Sequence, residues 1–303
     1  MATLVTGGGF IGSHLARELV NRGEKVVVLD ISPDTRLVKD ILGKILLVVG
    51  DVSDPSEVFR VVKEHDVREI YHTAALLIDD CEANPLRALK VNVEGTVNLL
   101  ESCRIFDLER IVFTSTAAVF SPGLPEPIGD DAPKYPTSVY GATKVASELY
   151  GLKYLRSYGI DFRAVRFTWV YGPGRSRGAT AFSSQLIEKP ALGQPVEISR
   201  RGDSKGDWLY IKDAVRALLL LRDCRKPKHR VYNIAGGVHT IAKVVRIVKR
   251  HIPTADIMLG TQEPEAAAAY DDSHARKELG WKPAYPIEDG VKDHILEVRR
   301  WQR

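Results

Sequence analysis

Short apolar runs alternate along the first half of the chain with longer segments in which apolar residues recur every three or four positions. This alternation is typical of parallel strands joined by helices. The predicted strands are Ala2–Thr6, Lys25–Leu29, Ile45–Val49, Glu69–Thr73, Ile111–Ser115 and Phe162–Phe167. Strands of this kind predict an α/β fold built on a doubly wound parallel sheet.

Two segments between these strands have the spacing of amphipathic helices. Phe10–Asn21 carries apolar residues at four-residue intervals. Asn84–Ile105 carries Leu86, Leu89, Val93, Val97 and Leu100. We expect both helices to pack their apolar side against the sheet.

After about residue 170, glycines and prolines break the chain into shorter elements. We interpret residues 1–170 as the first domain and residues 171–303 as mainly a smaller lobe. The lobe is partly interleaved, because a segment near 208–235 is expected to return to the first domain. The length of 303 residues allows about two domains. The loop Ser121–Pro136 holds five prolines and two glycines, and long loops of this kind are often functional.

The composition excludes several classes of protein. Hydrophobic residues make up 44% of the chain and charged residues 27%, which is typical of globular proteins and not of disordered ones. The net charge of +4 is too small to indicate a nucleic-acid-binding surface. No apolar run approaches the ~18 residues that span a bilayer, and no signal peptide precedes the first strand. We expect a cytoplasmic protein with no nucleic-acid or membrane partner.

The cysteines indicate neither disulfides nor zinc. Cys81, Cys103 and Cys224 lie far apart and have no C-x-x-C spacing, and they suit a reducing compartment. His72 follows the fourth predicted strand without a second histidine or cysteine at metal-binding spacing. We expect no metal site.

The first predicted strand runs into Gly7-Gly8-Gly9-Phe10-Ile11-Gly12 and then into a helix. Glycines there permit a tight turn and a close approach by a pyrophosphate, whose charge is met by N–H groups at the helix N-terminus. Asp30 ends the second strand about 20 residues later, where a carboxylate binds an adenosine ribose and repels a 2′-phosphate. The pattern indicates NAD. The alternative is a tight turn followed by a strand-ending aspartate.

A third strand leads into Gly50-Asp51-Val52. Asp51 is placed to meet the adenine amino group, and Val52 is placed to pack on the adenine ring. An equally consistent interpretation is that Asp51 caps the next helix.

The candidate catalytic pair is Tyr140 and Lys144, which share one face of a predicted helix because they lie four residues apart. That helix follows a buried strand ending in Ser115 and Thr116, at the sheet edge where ligands bind. A phenol has a pKa of about 10, and an adjacent ammonium and a positively charged nicotinamide both favour the phenolate. Tyr140 is then a general base for a substrate hydroxyl that Thr116 holds, while Lys144 also binds the nicotinamide ribose. The alternative is an ordinary amphipathic helix.

These features together resemble the extended short-chain dehydrogenase/reductase family, in its NAD-dependent epimerase/dehydratase branch. The resemblance covers nearly the whole chain. Its motifs are the glycine turn, Asp30, Gly50-Asp51-Val52, His72-Thr73-Ala74-Ala75, Asn92-Val93-Glu94-Gly95-Thr96-Val97-Asn98-Leu99-Leu100, the Thr116, Tyr140 and Lys144 set, and Arg166-Phe167-Thr168-Trp169-Val170-Tyr171-Gly172-Pro173.

The resemblance implies a Rossmann-type NAD-binding domain at residues 1–170 and a substrate-binding lobe at 171–303. The expected cofactor contacts are Gly7, Gly9, Phe10, Ile11, Gly12, Asp30, Asp51, Val52, Ala74, Ser115, Tyr140, Lys144 and Tyr171. The expected substrate contacts are Leu76, Thr116, Trp169, Arg175 and Arg177. The resemblance also implies a homodimer formed through the helices that hold Asn92–Ile105 and Tyr140–Tyr158.

Four departures from the family pattern bear on the substrate. The glycine turn is one residue short, Trp169 stands where nucleotide-sugar epimerases place an asparagine, and Gly202–Trp208 lacks their phosphate-binding arginine. No Asp-Glu pair follows Thr116, which argues against a dehydratase. The expected activity is removal of hydride from a secondary carbinol of a sugar or nucleotide sugar. The alternatives are a dehydrogenase of a small sugar acid or other secondary alcohol, and a non-catalytic dinucleotide sensor.

Overall fold

A computed structural model describes residues 1–262 and 267–301. The strands are β1 (Ala2–Thr6), β2 (Val26–Asp30), β3 (Ile45–Val49), β4 (Val67–His72), β5 (Arg110–Thr116), β6 (Phe162–Phe167), β7 (Trp169–Tyr171), β8 (Val196–Arg200), β9 (Lys205–Tyr210), β10 (Val231–Ile234), β11 (Val238–Thr240) and β12 (Ile257–Gln262). The helices are α1 (Phe10–Asn21), α2 (Pro55–Glu64), α3 (Ile78–Ala83), α4 (Pro85–Ala88), α5 (Gly95–Ile105), α6 (Val139–Tyr158), α7 (Phe182–Ala191), α8 (Ile211–Asp223), α9 (Ile241–His251), α10 (Ser273–Leu279) and α11 (Ile287–Trp301).

Seven strands form the central sheet, in the order β3-β2-β1-β4-β5-β6-β10, and all neighbouring strands are parallel. The chain order reverses between β1 and β4, which is the switch point where doubly wound sheets bind ligands. The predicted Rossmann-type fold is confirmed.

Both faces of the sheet are buried, which explains why its strands are continuous apolar runs rather than alternating ones. Leu4 and Val27 face a core that helices α2 and α5 complete. Their neighbours Val5 and Val28 face a second core, which α1 and α8 cover. A parallel sheet covered on both sides leaves its carboxyl edge open, and the predicted site residues Asp30 and Thr116 end strands at that edge.

Most predicted strands match the structure closely. Three are identical in extent, and the others differ by one or two residues at their ends. The seventh strand, β10, has only four residues and an asparagine within it, so its apolar pattern was too short to predict. It lies in the segment expected to return to the sheet, and it pairs with β6.

The helix predicted over Asn84–Ile105 is present from Pro85 onward, but it contains a π-helical turn that the spacing did not predict. The segment consists of α4, a π-helical turn over Leu89–Glu94, and α5. Leu86 is 81% exposed and Leu89 is 55% exposed, so these two residues do not pack on the sheet. The expected packing on the sheet is wrong for these two residues, whereas Val93 and Leu100, later in the same helix, are buried.

The chain beyond β6 builds two smaller sheets beside the central one. Strands β11, β9 and β7 form one of them, and β12 and β8 form the other. Helices α7, α9 and α11 contact one another around these strands. Among the described residues, no helix is long and apolar enough to cross a membrane. The three cysteines are free thiols.

Candidate active site

The glycine turn joins β1 to α1, and its glycines differ in how closely other atoms approach them. Gly7 has a φ of +82°, and a Cβ there would lie 2.7 Å from the backbone of Ala74. A Cβ on Gly12 would lie 1.8 Å from the Gly7 carbonyl oxygen. A Cβ on Gly9 would meet no atom within 4 Å, so the backbone at this position faces open space. Gly7 and Gly12 therefore allow the turn to pack closely, and Gly9 leaves room for a ligand to approach.

Helix α1 begins at Phe10 with an uncompensated N-terminus. Its cap, Gly9, offers no side-chain acceptor, and its first turn holds no acidic residue. The N–H groups of Phe10, Ile11 and Gly12 thus retain the positive end of the helix dipole, which binds anions.

Asp30 ends β2 beside this turn. Its carboxylate accepts the Gly8 N–H at 2.7 Å and the Ser32 N–H at 2.7 Å. These bonds hold the glycine turn against β2. The carboxylate is only partly buried, so it remains accessible to a ribose.

Asp51 and Val52 follow β3 at the same edge. The Asp51 carboxylate accepts the Ser53 N–H at 2.8 Å. The alternative that Asp51 caps the next helix is wrong, because Asp54 is the cap of α2. Val52 is buried, and its carbonyl accepts a bond of 3.1 Å from Asn98.

The structure brings Thr116, Tyr140 and Lys144 together. Helix α6 begins at Val139, and its cap Ser138 accepts the Gly141 N–H at 3.0 Å. Tyr140 therefore lies in the first turn, and Lys144 lies one turn later with its Nζ 5.8 Å from the Tyr140 ring centre. Thr116 ends β5, and its hydroxyl shares a hydrogen bond with the Tyr140 phenol.

Lys144 is anchored to the central sheet. Its Nζ donates to the Thr114 carbonyl at 2.9 Å and lies 4.5 Å from the centre of the Phe113 ring. The side chain is only 2% exposed. Burial lowers the pKa of Lys144 to about 7, because the ammonium loses its hydration.

Burial raises the pKa of Tyr140 to about 12, against the effects of the Thr116 hydrogen bond and the charge of Arg175, which lower it. The sequence predicted that Lys144 supplies the charge that favours the phenolate. The charge of Arg175 also lowers the pKa of Tyr140, in the direction predicted for Lys144, whose Nζ lies 5.8 Å from the Tyr140 ring centre. No spacing in the sequence predicts that Arg175 approaches Tyr140.

Arg175 and Arg177 occupy different environments. The Arg175 guanidinium donates to the Val170 carbonyl and lies 5.7 Å from the centre of the Phe10 ring. Arg177 is exposed and forms an ion pair of 2.7 Å with Asp80. Of the two cations, only Arg175 approaches the turn and the catalytic pair.

Two predicted contact residues have side chains in the core. Trp169 is 6% exposed, and its ring packs edge-on against Phe182 and Trp208. The ring of Tyr171 packs against Trp208 and Tyr210, so its predicted cofactor contact concerns the main chain of this region.

Ser115 is also committed to a structural partner. Its hydroxyl donates to the Glu148 carboxylate at 2.5 Å. Glu148 also accepts two bonds, of 2.8 and 2.7 Å, from the Arg166 guanidinium. This buried pair joins α6 to β6.

Asn92 is a positioning residue that sequence reasoning missed, although it lies in a motif already noted. Its side chain accepts the Leu76 N–H at 2.8 Å and donates to the Leu76 carbonyl at 3.1 Å. It also donates to the Thr143 hydroxyl at 3.0 Å. Asn92 therefore ties the loop after β4 to the helix that carries Tyr140. It belongs to the π turn, a feature frequent at functional sites.

A cavity of about 340 Å³ is lined by Leu77 and Gly178, which lie near Arg175, whereas none of Thr116, Tyr140 and Lys144 lines it. Its lining residues are Leu77, Asp79, Asp80, Ser176, Arg177, Gly178, Ala181, Phe182 and Gln185. They come from Leu77 and the start of α3, which follow β4, and from the segment after β7 together with the start of α7. Among the described residues, no group of three or more His, Cys, Asp or Glu side chains is placed to hold a metal ion.

Comparison with known proteins identifies the family. The model of the NAD dependent epimerase/dehydratase family matches residues 3–235. The chain belongs to this family. A putative UDP-glucose 4-epimerase of Methanocaldococcus jannaschii is 31% identical over 296 residues, with 95% of each chain covered. The mitochondrial L-threonine 3-dehydrogenase of Bos taurus is 29% identical over 304 residues, covering 95% of this chain and 80% of the relative.

A solved structure supports the same assignment. The UDP-glucose 4-epimerase of Thermus thermophilus, in complex with NAD, has a TM-score of 0.86 and 27% identity, with 99% of each chain covered. The 303-residue chain is therefore an NAD-dependent enzyme of the epimerase/dehydratase family. Its own residues fit the cofactor, because the open backbone at Gly9 admits a pyrophosphate and Asp30 stands where a ribose is held.

Proposed function

We propose that the enzyme removes hydride from a secondary carbinol of a sugar or nucleotide-sugar substrate, with Tyr140 as general base. The observation that carries this proposal is the cluster of Thr116, Tyr140 and Lys144 at the carboxyl edge of β5, beside the glycine turn. NAD bound at that turn supplies the hydride acceptor.

The proton is handled by the chain's own residues. Thr116 holds the substrate oxygen next to the phenol, and Tyr140 accepts its proton as hydride leaves the same carbon. With a pKa of about 12, Tyr140 is protonated at neutral pH until cations stabilise its phenolate. Arg175 contributes to that stabilisation. The phenol returns the proton in the reverse direction.

A dehydrogenase of a small sugar acid or other secondary alcohol is the second candidate. Trp169 favours it, because an indole in the core cannot supply the amide contacts of an asparagine. The bovine L-threonine 3-dehydrogenase among the relatives supports it as well. A non-catalytic sensor is the third candidate, and the intact catalytic set argues against it.

The proposed substrate contacts lie at different positions relative to the cavity. Arg177 lines the cavity, and Leu76 precedes the cavity residue Leu77. Thr116 adjoins Tyr140. Trp169 contributes through the wall it forms with Phe182, which lines the cavity. Arg175 lies between the cavity and the glycine turn.

A substrate panel decides between the first two candidates. The enzyme is incubated with nucleotide sugars, free sugars and sugar acids while NADH absorbance and product stereochemistry are monitored. Net formation of NADH identifies a dehydrogenase. Inversion of a carbinol without net NADH identifies an epimerase.

The catalytic assignment is tested with Tyr140→Phe on the substrate so identified. Loss of a general base should lower kcat/KM by about 10²- to 10⁴-fold while the NAD dissociation constant stays unchanged. Tyr135→Phe, which changes an exposed tyrosine in the loop before α6, is the matched control. Full turnover by Tyr140→Phe would refute the assignment.

We also propose a homodimer formed through the segments Asn92–Ile105 and Tyr140–Tyr158. The exposed apolar side chains of Ile105, Leu149 and Tyr158 support it. Leu149→Lys should then yield a monomer in sedimentation equilibrium.

Three further assignments are proposals of the same kind. Residues 1–170, with the return near 208–235, bind the cofactor, and residues 171–303 mainly bind substrate. The free thiols support a cytoplasmic location.

A further inference from the structure

Arg175 lies among residues that follow three different strands of the central sheet. Its Cζ is 5.7 Å from the ring centre of Phe10, which follows β1. Its Nη2 is 3.6 Å from the position a Cβ on Gly178 would take, and Leu77, which follows β4, lies 3.1 Å from the same point. On the β5 side, its charge acts on Tyr140. The guanidinium is therefore located above the switch point of the sheet.

This cation has no counter-ion in the part of the chain that the structure describes. Its hydrogen bond goes to the Val170 carbonyl, and no described carboxylate lies within 4 Å of it. Surrounding protein desolvates the guanidinium, which lowers the pKa of Arg175 to about 10, so the group is still charged at neutral pH. The side chain is partly exposed, so the guanidinium is accessible to a ligand, and a cation without a carboxylate partner is suited to an anion.

The N-terminus of α1 is close to Arg175, because the first residue of that helix is Phe10, whose ring centre lies 5.7 Å from the guanidinium. It holds free N–H groups without an acidic residue or a side-chain cap. Two independent groups thus present positive charge to the same space, one through main-chain dipoles and one through a side chain.

The path of the cofactor identifies the anion. A dinucleotide that is held by Asp30 at β2 and reacts beside Tyr140 must cross the carboxyl end of β1 with its pyrophosphate. Arg175 is near both Phe10, at the start of α1, and Tyr140, beside which the nicotinamide is expected to react, so it belongs to the nicotinamide half of that path. We propose that Arg175 binds the pyrophosphate of NAD through its nicotinamide-side phosphate, opposite the N–H groups of α1. Arg175 is then a cofactor residue rather than the substrate residue that the sequence suggested.

The proposal also accounts for the short glycine turn. Only Gly7, Gly8 and Gly9 separate β1 from Phe10, so the turn itself contributes few N–H groups to the phosphates. A side-chain cation from the segment after β7 adds charge that the turn lacks.

Binding of cofactor fragments tests the proposal without any substrate. Dissociation constants for NAD, ADP-ribose and AMP are measured by calorimetry on wild type and Arg175→Gln. ADP-ribose carries both phosphates, whereas AMP carries only the adenosine-side phosphate. Loss of a charge-assisted phosphate contact should weaken NAD and ADP-ribose by about tenfold or more, with AMP unchanged. The difference between variant and wild type should shrink at high salt.

Arg177→Gln is the matched control, because that arginine is exposed and already paired with Asp80. It should leave all three constants unchanged. If Arg175→Gln does not fold, Arg175→Met carries the same test with a side chain suited to burial. Wild-type affinity for NAD and ADP-ribose in a folded Arg175 variant overturns the proposal. If such a variant also raises the substrate KM, the guanidinium binds substrate instead. Equal weakening of AMP and ADP-ribose places it on the wrong phosphate and overturns the proposal too.

Discussion

Replacing Lys144 by methionine tests whether this candidate catalytic lysine is desolvated in the folded protein. Its pKa is about 7 instead of 10.5, and its side chain is 2% exposed. The difference of about 3.5 units, at 1.36 kcal/mol per unit, corresponds to about 5 kcal/mol. This free energy disfavours the folded state whenever the lysine is protonated in both states.

The sign of the pH dependence follows from the lowered pKa. Below about pH 7, the folded and unfolded chains both hold the proton, so the destabilisation is full and constant. Above it, the unfolded chain holds a proton that the folded chain has released. The wild-type stability therefore rises with pH, by about 2 kcal/mol between pH 7 and pH 9 for this group alone.

Urea unfolding of wild type and Lys144→Met at pH 7 and pH 9, after removal of NAD, measures this quantity. Other titrating groups contribute equally to both proteins. The excess free energy of unfolding of Lys144→Met over wild type should therefore be about 2 kcal/mol smaller at pH 9 than at pH 7. Lys153→Met, an exposed lysine on the same helix, is the control and should show no such change. A difference between wild type and Lys144→Met that does not vary with pH would refute the reasoning.

Two further substitutions test the glycine turn and the buried ion pair. Gly12→Ala should weaken NAD binding by about tenfold or more, because its Cβ displaces the turn, whereas Gly43→Ala meets no atom and should bind normally in calorimetry. Normal NAD affinity in Gly12→Ala would mean that the turn accommodates the methyl group. Glu148→Gln leaves the buried Arg166 without its charge partner and should lower the free energy of unfolding by about 3 kcal/mol in urea titrations. A loss below about 1 kcal/mol would show that the pair is replaceable.

The sequence was sufficient to predict the central sheet because its strands are buried on both faces. Runs such as Val26–Leu29 are apolar without interruption, and only a parallel sheet covered by helices buries both sides. β10 escaped prediction because Asn233 breaks its pattern. The structure shows that this side chain donates to the carbonyls of Ile128 and Asp271, which are contacts between distant segments.

The candidate site also has a part that the sequence predicts and a part that it does not. Tyr140 and Lys144 share a face because of helical spacing, and Thr116 joins them because strand ends meet at one edge. Arg175 could not be placed from the sequence, since the course of an irregular loop depends on tertiary packing. The low pKa of Lys144 likewise depends on its burial beside Phe113.

Lys144 is anchored to a main-chain carbonyl of β5, so its position does not depend on the residues that line the cavity. The lysine is held by the backbone of an interior strand, which no side-chain replacement elsewhere removes. The walls of the cavity, by contrast, come from two segments outside the central sheet, at residues 77–80 and 176–185. Engineering which alcohols are accepted can therefore concentrate on these segments, while proton transfer keeps the same framework.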